Sequence, residues 1–218
     1  WGPTSDLKIK PEITAHGGEI YSAVPGQAYD RLSGTSMAAP NQAGAAALIR
    51  QYVKYEDVFG TTEEMEADPI RVTKLVNQLM MSTADIVLNK NGLPYAVRKQ
   101  GSGLVNIQNS YETASYVSTY EKVVDETTGE VTLQEMDKTK FEVGDDKDRT
   151  GVYEMTFAIN NISANTVTYE LGSIIQTEGV SEIYTSHSDT TVTQEGYLLE
   201  GTKLEVVSIN GGTLNGTN

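Results

Sequence analysis

The residues best suited to chemistry form one short run, Gly34-Thr35-Ser36-Met37-Ala38-Ala39-Pro40. An apolar helical pattern, Ala43 to Tyr52, follows directly. A serine at the mouth of a helix, among small residues, presents its hydroxyl for nucleophilic attack. The helix start offers unpaired N–H groups and the positive end of the backbone dipole, which together suit a developing oxyanion. Gly34 and Gly44 permit close backbone approach. Pro40 is expected near the edge of the first turn, where a missing N–H costs least. The same residues also fit a plainer role, with Thr35 or Ser36 as an N-cap ahead of a buried alanine-rich helix. Residue types alone leave both readings open.

The longer stretch Gly34-Thr35-Ser36-Met37-Ala38-Ala39-Pro40-Asn41-Gln42-Ala43-Gly44 resembles the serine signature of the subtilisin-like serine proteases. About seven of its eleven positions are fixed or nearly fixed, which makes it far more specific than a G-x-S-x-G alone. The resemblance extends upstream through Trp1-Gly2-Pro3, Lys10-Pro11-Glu12-Ile13, Ala15-His16-Gly17 and Ile20-Tyr21-Ser22. It extends downstream through Met81-Ser82-Thr83-Ala84 and Gly101-Ser102-Gly103-Leu104-Val105-Asn106. Its flavour is that of the large cell-envelope group of Gram-positive bacteria. The resemblance implies peptide-bond hydrolysis through an acyl-enzyme, with Ser36 as the nucleophile. It implies that the Ser36 N–H serves the oxyanion hole, that Gly34 and Thr35 shape that hole, and that Met37 lies beside the serine.

A serine nucleophile needs a base, and the chain holds two histidines, His16 and His187. Grouping Ser36 with His16 and Asp30 would be the naive triad. The resembled family places its aspartate and then its histidine far upstream of the serine, and His16 falls where its members carry proline. His16 is therefore expected to be a loop residue or a rim residue of the substrate cleft, and His187 a surface residue. The histidine, the aspartate and the oxyanion asparagine are expected outside these 218 residues. On that expectation the chain is a piece of a longer enzyme, cut at both ends and inactive by itself. A contrasting expectation is a non-catalytic surface protein, an adhesion module built on a degenerate protease fold.

Several elements must position the serine. Glu19 to Val24 and Ala28 to Ser33 read as strands joined at Pro25-Gly26, so Ser36 follows the end of a strand and enters a helix. Residues 43–55 are apolar nearly all round and predict a deeply buried helix. Glu56 to Asp68 reads as an acidic loop. A second helix is expected from Asp68 as N-cap and Pro69 at the first helical position, with Ile70, Leu75, Val76, Leu79 and Met80 as its apolar stripe. Asn89-Lys90-Asn91-Gly92 and Gly101-Ser102-Gly103 read as tight turns, the latter in preference to a phosphate loop. Asn106 is expected to cap a last short helix running through Ala114.

From Tyr116 the texture changes to period-two alternation, in Val123-Val124, Val131-Thr132-Leu133, Tyr153 to Ile159 and Val167 to Leu171. Thr127-Thr128-Gly129 and Asn160-Asn161 break the runs. The expected architecture is α/β: the C-terminal part of a subtilisin-like domain over 1–118, then a partial antiparallel β-sandwich over 119–218. Val152 to Leu171 resembles the first strands of the fibronectin-III-like domain that follows the protease domain in the cell-envelope group.

Charge divides along similar lines. Residues 1–100 carry 10 basic and 11 acidic side chains, and residues 101–218 carry 6 and 19. A net charge of −14 argues against binding nucleic-acid phosphates, and protein or peptide substrate is the expected partner. With no cysteine, a disulfide frame and a thiolate metal site are both excluded. Asp145-Asp146-Lys147-Asp148 lacks the spacing of a calcium loop and reads as a charged hairpin tip. Calcium is compatible with the resemblance, but no ligands are assigned, and no cofactor is called for. The sequence has no apolar run of membrane-spanning length. The resemblance implies an extracellular or cell-envelope location.

Overall fold

The computed structural model describes residues 1–143, 146–185 and 190–212, with side chains left aside over 181–195. The chain divides into two compact units, residues 1–87 with 97–167 and residues 88–96 with 168–218.

The first unit is built on two helices. Helix α1 runs Thr35–Tyr55 and helix α3 runs Pro69–Ser82, with short α2, Thr62–Ala67, between them. Ala45, Ile49 and Val53 recur at a four-residue spacing, so they share one face of α1. That face packs on Val72, Leu75, Val76, Leu79 and Met80 of α3, with Met65 of α2 and Phe59 closing the cluster. The Tyr52 ring meets Phe59 and Tyr111 edge-on, at centroid distances of 5.6 and 4.9 Å. Leu79 is fully buried at the centre. Leu79→Ala is expected to cost about 2–5 kcal/mol by opening a cavity there, read as a lower denaturant midpoint with an unchanged slope.

Two expectations about these helices need correction. Helix α1 is covered along one stripe only, and Leu48 is 47% exposed alongside open Ala43, Gly44 and Ala47. Its apolar residues go all round, but the packed neighbours α2, α3 and α5 (Ile107–Glu112, after the single turn α4, Val97–Gln100) lie on one side. Ile70, assigned to the α3 stripe, is 78% exposed. It sits in the first turn, before the helix settles onto its partner.

The start of α3 follows its cap chemistry. The Asp68 carboxylate accepts the Arg71 N–H at 2.9 Å, and Pro69 occupies the first turn. The stretch expected to be an acidic loop contains α2 instead. Thr61 Oγ1 accepts the Glu64 N–H at 3.3 Å while the Glu64 carboxylate accepts the Thr61 N–H at 2.9 Å, a reciprocal capping box. Asn106 caps α5 by accepting the Asn109 N–H at 3.0 Å, and that helix ends at Glu112, sooner than expected.

The strands of this unit are antiparallel. Strands β1, Ile20–Val24, and β2, Ala28–Leu32, form a hairpin with Ile20 opposite Leu32 and Val24 opposite Ala28. Strand β3, Ser115–Val124, is the middle of a second sheet, flanked by β4, Val131–Glu135, and β5, Thr156–Asn161. This sheet is tied to α3. Ser82 Oγ accepts the Val117 N–H at 2.9 Å, and the buried Gln78 amide donates to Glu135 Oε1 and the Met136 carbonyl at 2.9 and 3.0 Å. The turn between β3 and β4 forms at Asp125, whose carboxylate accepts the Thr127 and Thr128 N–H groups at 2.8 Å. Asn160 and Asn161 belong to β5 rather than to the break, which begins where Asn161 Oδ1 accepts the Ser163 N–H at 2.9 Å.

In the second unit, strands β6, Gln176–Thr185, and β7, Thr190–Leu198, pair antiparallel from Gln176 opposite Leu198 to Thr185 opposite Thr190. The turn at Asn89 forms as expected, with its side chain accepting the Asn91 and Leu93 N–H groups. Val167 to Leu171 forms no strand despite its alternation. Alternation needs a sheet edge to pair with, and residues 166–175 find none among the described residues. His187 lies outside the described residues.

Candidate active site

The hairpin delivers the chain to the serine. Strand β2 ends at Leu32, Ser33 closes the hairpin base, and α1 begins at Thr35. At that base Ser33 Oγ accepts the Glu19 N–H at 2.8 Å and donates to the Glu19 carboxylate at 3.1 Å, while Arg31 donates to the Glu19 carbonyl at 3.2 Å. The Ser33 hydroxyl is therefore committed to holding the hairpin.

Ser36 is free of such a duty. The N-cap of α1 is Gly34, which has no side chain, and no side chain caps the helix. Neither Thr35 nor Ser36 is the cap, because both already have helical positions. The Gly34 carbonyl accepts the Met37 and Ala38 N–H groups at 3.1 and 3.2 Å. Thr35 and Ser36 occupy the first two helical positions, where no intrahelical carbonyl precedes their N–H groups. No acidic residue stands in the first turn to offset the positive dipole end. Ser36 is exposed and Met37 is partly buried behind it.

Pro40 lies inside α1, deeper than the expected first-turn edge. Its ring nitrogen cannot donate to the residue four positions back, which is Ser36, so the Ser36 carbonyl lacks its usual helical partner. The proline thus loosens the ladder at the serine itself.

A second loop fixes this corner. The Gly17 carbonyl accepts the Gly34 N–H at 2.8 Å. A Cβ on Gly17 would fall 2.7 Å from the Gly34 carbonyl oxygen and 2.8 Å from the Ala38 Cβ. The one signal of this contact in the residue types is Gly17 itself, where any Cβ would clash. The loop before Gly17 is itself braced. Thr14 N–H and Oγ1 donate to the Gly103 carbonyl at 2.9 and 2.8 Å, and the Val105 N–H donates to the Thr14 carbonyl at 2.8 Å. Gly101 and Gly103 turn with φ of 61° and 130°, and a Cβ on Gly101 would meet the Glu12 carbonyl at 2.2 Å. The Gly101-Ser102-Gly103 turn is therefore also a close-approach point.

His16 is exposed in that loop, and among the described residues neither His16 nor Asp30 hydrogen-bonds Ser36. The Asp30 carboxylate accepts its neighbour's Arg31 N–H at 2.7 Å. Among the described residues no group of three or more His, Asp or Glu could hold a metal ion. Nor is any helix among them long and apolar enough to cross a membrane.

Residues 1–103 match the subtilase family model, peptidase S8. These residues belong to the subtilase family. The subtilase segment thus holds the hairpin, α1, α3 and the bracing turn at Gly101. Similarity to known proteinases runs beyond it. The chain is 29% identical over 200 residues to the PI-type proteinase of Lactococcus lactis subsp. cremoris, covering 87% of this chain and 9% of that protein. It is 34% identical over 144 residues to the C5a peptidase of Streptococcus pyogenes, covering 66% of this chain and 11% of that protein. The chain spans about a tenth of the length of these relatives. A solved structure, the CspB protease of Clostridium perfringens, aligns with a TM-score of 0.34 at 24% identity, over 51% of this chain and 22% of that one.

Proposed function

We propose that this chain carries the nucleophilic serine of a secreted subtilisin-like endopeptidase. The observation that supports this most is the exposed, uncommitted Ser36 in the uncapped first turn of α1, within its full eleven-residue signature. Ser36 Oγ attacks the scissile carbonyl as its proton passes to a histidine. The Ser36 N–H then steadies the oxyanion, with Gly34 and Thr35 shaping the space around it. Collapse of the tetrahedral intermediate releases the amine and leaves an acyl-enzyme, which water hydrolyses. Met37 flanks the serine, and its thioether is open to oxidation.

The histidine, the aspartate that orients it and the asparagine donor are proposed to come from outside these residues, since no described histidine is hydrogen-bonded to Ser36. The 218 residues alone are then inactive. The β-rich half, 119–218, is proposed as an incomplete fibronectin-III-like domain, a reading supported by antiparallel pairing within each of its sheets. An extracellular or cell-envelope setting follows the kinship with the named proteinases. The test is a fluorophosphonate probe applied to the full-length protein. Labelling that Ser36→Ala abolishes supports the proposal; labelling that survives it overturns the assignment.

A further inference from the structure

Residues 138–142 lie beyond the subtilase segment, yet they return to its opening stretch, Ile9 to Glu12. The Glu142 carboxylate accepts the Ile9 N–H at 3.2 and 3.1 Å and pairs with Lys140 at 2.5 Å. Lys140 also donates to the Ile9 carbonyl at 3.1 Å and lies 3.5 Å from Glu12. Lys138 pairs with the same Glu12 oxygen at 2.8 Å, and Lys10 completes the cluster. The Glu12 and Lys140 side chains are only 16% and 18% exposed. The segment itself is held from behind, because the buried Thr119 hydroxyl donates to the Lys138 carbonyl at 3.0 Å.

From Glu12 toward the serine, hydrogen bonds hold Glu12 and Thr14, and the three-residue chain step from Thr14 to Gly17 carries on to the seat of α1. The Glu12 carbonyl accepts the Ser102 N–H and hydroxyl at 2.9 and 3.1 Å. Thr14 is locked to Gly103 and Val105. Gly17 then seats the first turn of α1 through the Gly34 N–H, with no spare room beneath Ala38. The stretch between Glu12 and Gly17 is short and braced at Glu12 and Thr14. A tightly packed contact passes a displacement on.

We propose that Lys138 and Lys140 are positioning residues for Ser36, acting through Glu12 and the Gly17 seat. This rests on the reading of Ser36 as nucleophile, so the test carries two readouts. In the full-length protein, the Lys138→Met/Lys140→Met double variant keeps the apolar stems and removes the charges. Its fluorophosphonate labelling at Ser36, measured well below the unfolding midpoint, is expected to slow about 10-fold, with kcat on a peptide lowered and KM unchanged. Hydrogen exchange of the Gly34 amide, whose bond to Gly17 reports the seat directly, is expected to quicken by a similar factor of about 10. Lys138→Arg/Lys140→Arg restores both. If the methionine variant does not fold, Glu142→Gln is measured in its place and is expected to move both readouts in the same direction. Wild-type labelling and wild-type exchange in a folded variant overturn the proposal. Faster Gly34 exchange in a protein whose wild type is never labelled at Ser36 supports the seat and overturns the nucleophile alone.

The same cluster makes a pH prediction. Burial alone would raise the Glu12 pKa, but hydrogen bonds from Lys10 and Lys138 outweigh it and hold the carboxyl at about 2, below the ordinary 4.5. The stabilisation is full above about 4.5 and is lost as pH falls through about 2. The loss is already under way by pH ~3 and is softened by the partly exposed lysines. Denaturant midpoints across that window check it, and Glu12→Gln is expected to remove this share of the slope.

Discussion

Replacing Ser36 by alanine in the full-length protein is expected to lower peptide-hydrolysis turnover by about 10⁶-fold, a size borrowed from the same loss in subtilisin. Stability should barely change, because the Ser36 hydroxyl does not cap the helix and bonds none of the described residues. The instructive control is Ser33→Ala. Ser33 lies three residues away, but its hydroxyl spans the hairpin base to Glu19. Its loss is expected to cost about 1 kcal/mol of stability and to leave the serine chemistry in place. Steady-state kinetics beside denaturant unfolding separates the two hydroxyls. An enzyme that loses turnover with Ser33→Ala and keeps it with Ser36→Ala would reverse the assignment.

The second large effect is expected at Gly17. Alanine there drives a Cβ against the Gly34 carbonyl oxygen and the Ala38 Cβ, both under 3 Å away. One neighbour is backbone and the other a short side chain on a helix, so neither can swing aside. The first turn of α1 has to move. Overpacking of this kind costs about 1–3 kcal/mol. A misplacement of order 1 Å at a nucleophile costs about 10²-fold in rate. Gly17→Ala is therefore expected to depress kcat by about that factor with little change in KM, while Gly18→Ala, where a Cβ meets nothing within 4 Å, stays near wild type. Equal behaviour of the two alanine variants would show that the Gly17 seat does not position the serine.

Much of the site's frame was legible in the residues. Asp68-Pro69 announced the start of α3 because cap oxygen and fixed φ are local properties. The β1–β2 hairpin was legible because alternation and Pro25-Gly26 agree. Asn89 and Asp125 set their turns by bonding their own backbone. Helix α2 was also written locally, in Thr61 and Glu64, but its acidity masked the capping box. The start of α1 at Thr35 is harder to read, for a different reason. Pro40 suggests an edge, whereas the helix tolerates it inside and begins at Thr35.

What stayed hidden was set by distant parts of the chain. Val167 to Leu171 has strand character but no partner edge, and pairing is not a property of the segment itself. The seat of Gly17 under α1 depends on a bond between residues seventeen apart. The ties between Glu12 and Lys138 or Lys140 span well over a hundred positions. Nothing local to either lysine points to a partner; only the return of residues 138–142 to the stretch Ile9 to Glu12 gives them a shared carboxylate.

The most direct test of the central claim is the address of the covalent adduct. The full-length protein is labelled with a fluorophosphonate, digested with trypsin and mapped by tandem mass spectrometry. Cleavage after Arg31 and Arg50 isolates a peptide holding Ser33, Thr35 and Ser36. The account predicts a single adduct, on the Ser36 oxygen. An adduct on Ser33, on Thr35 or on a serine outside this peptide would contradict it.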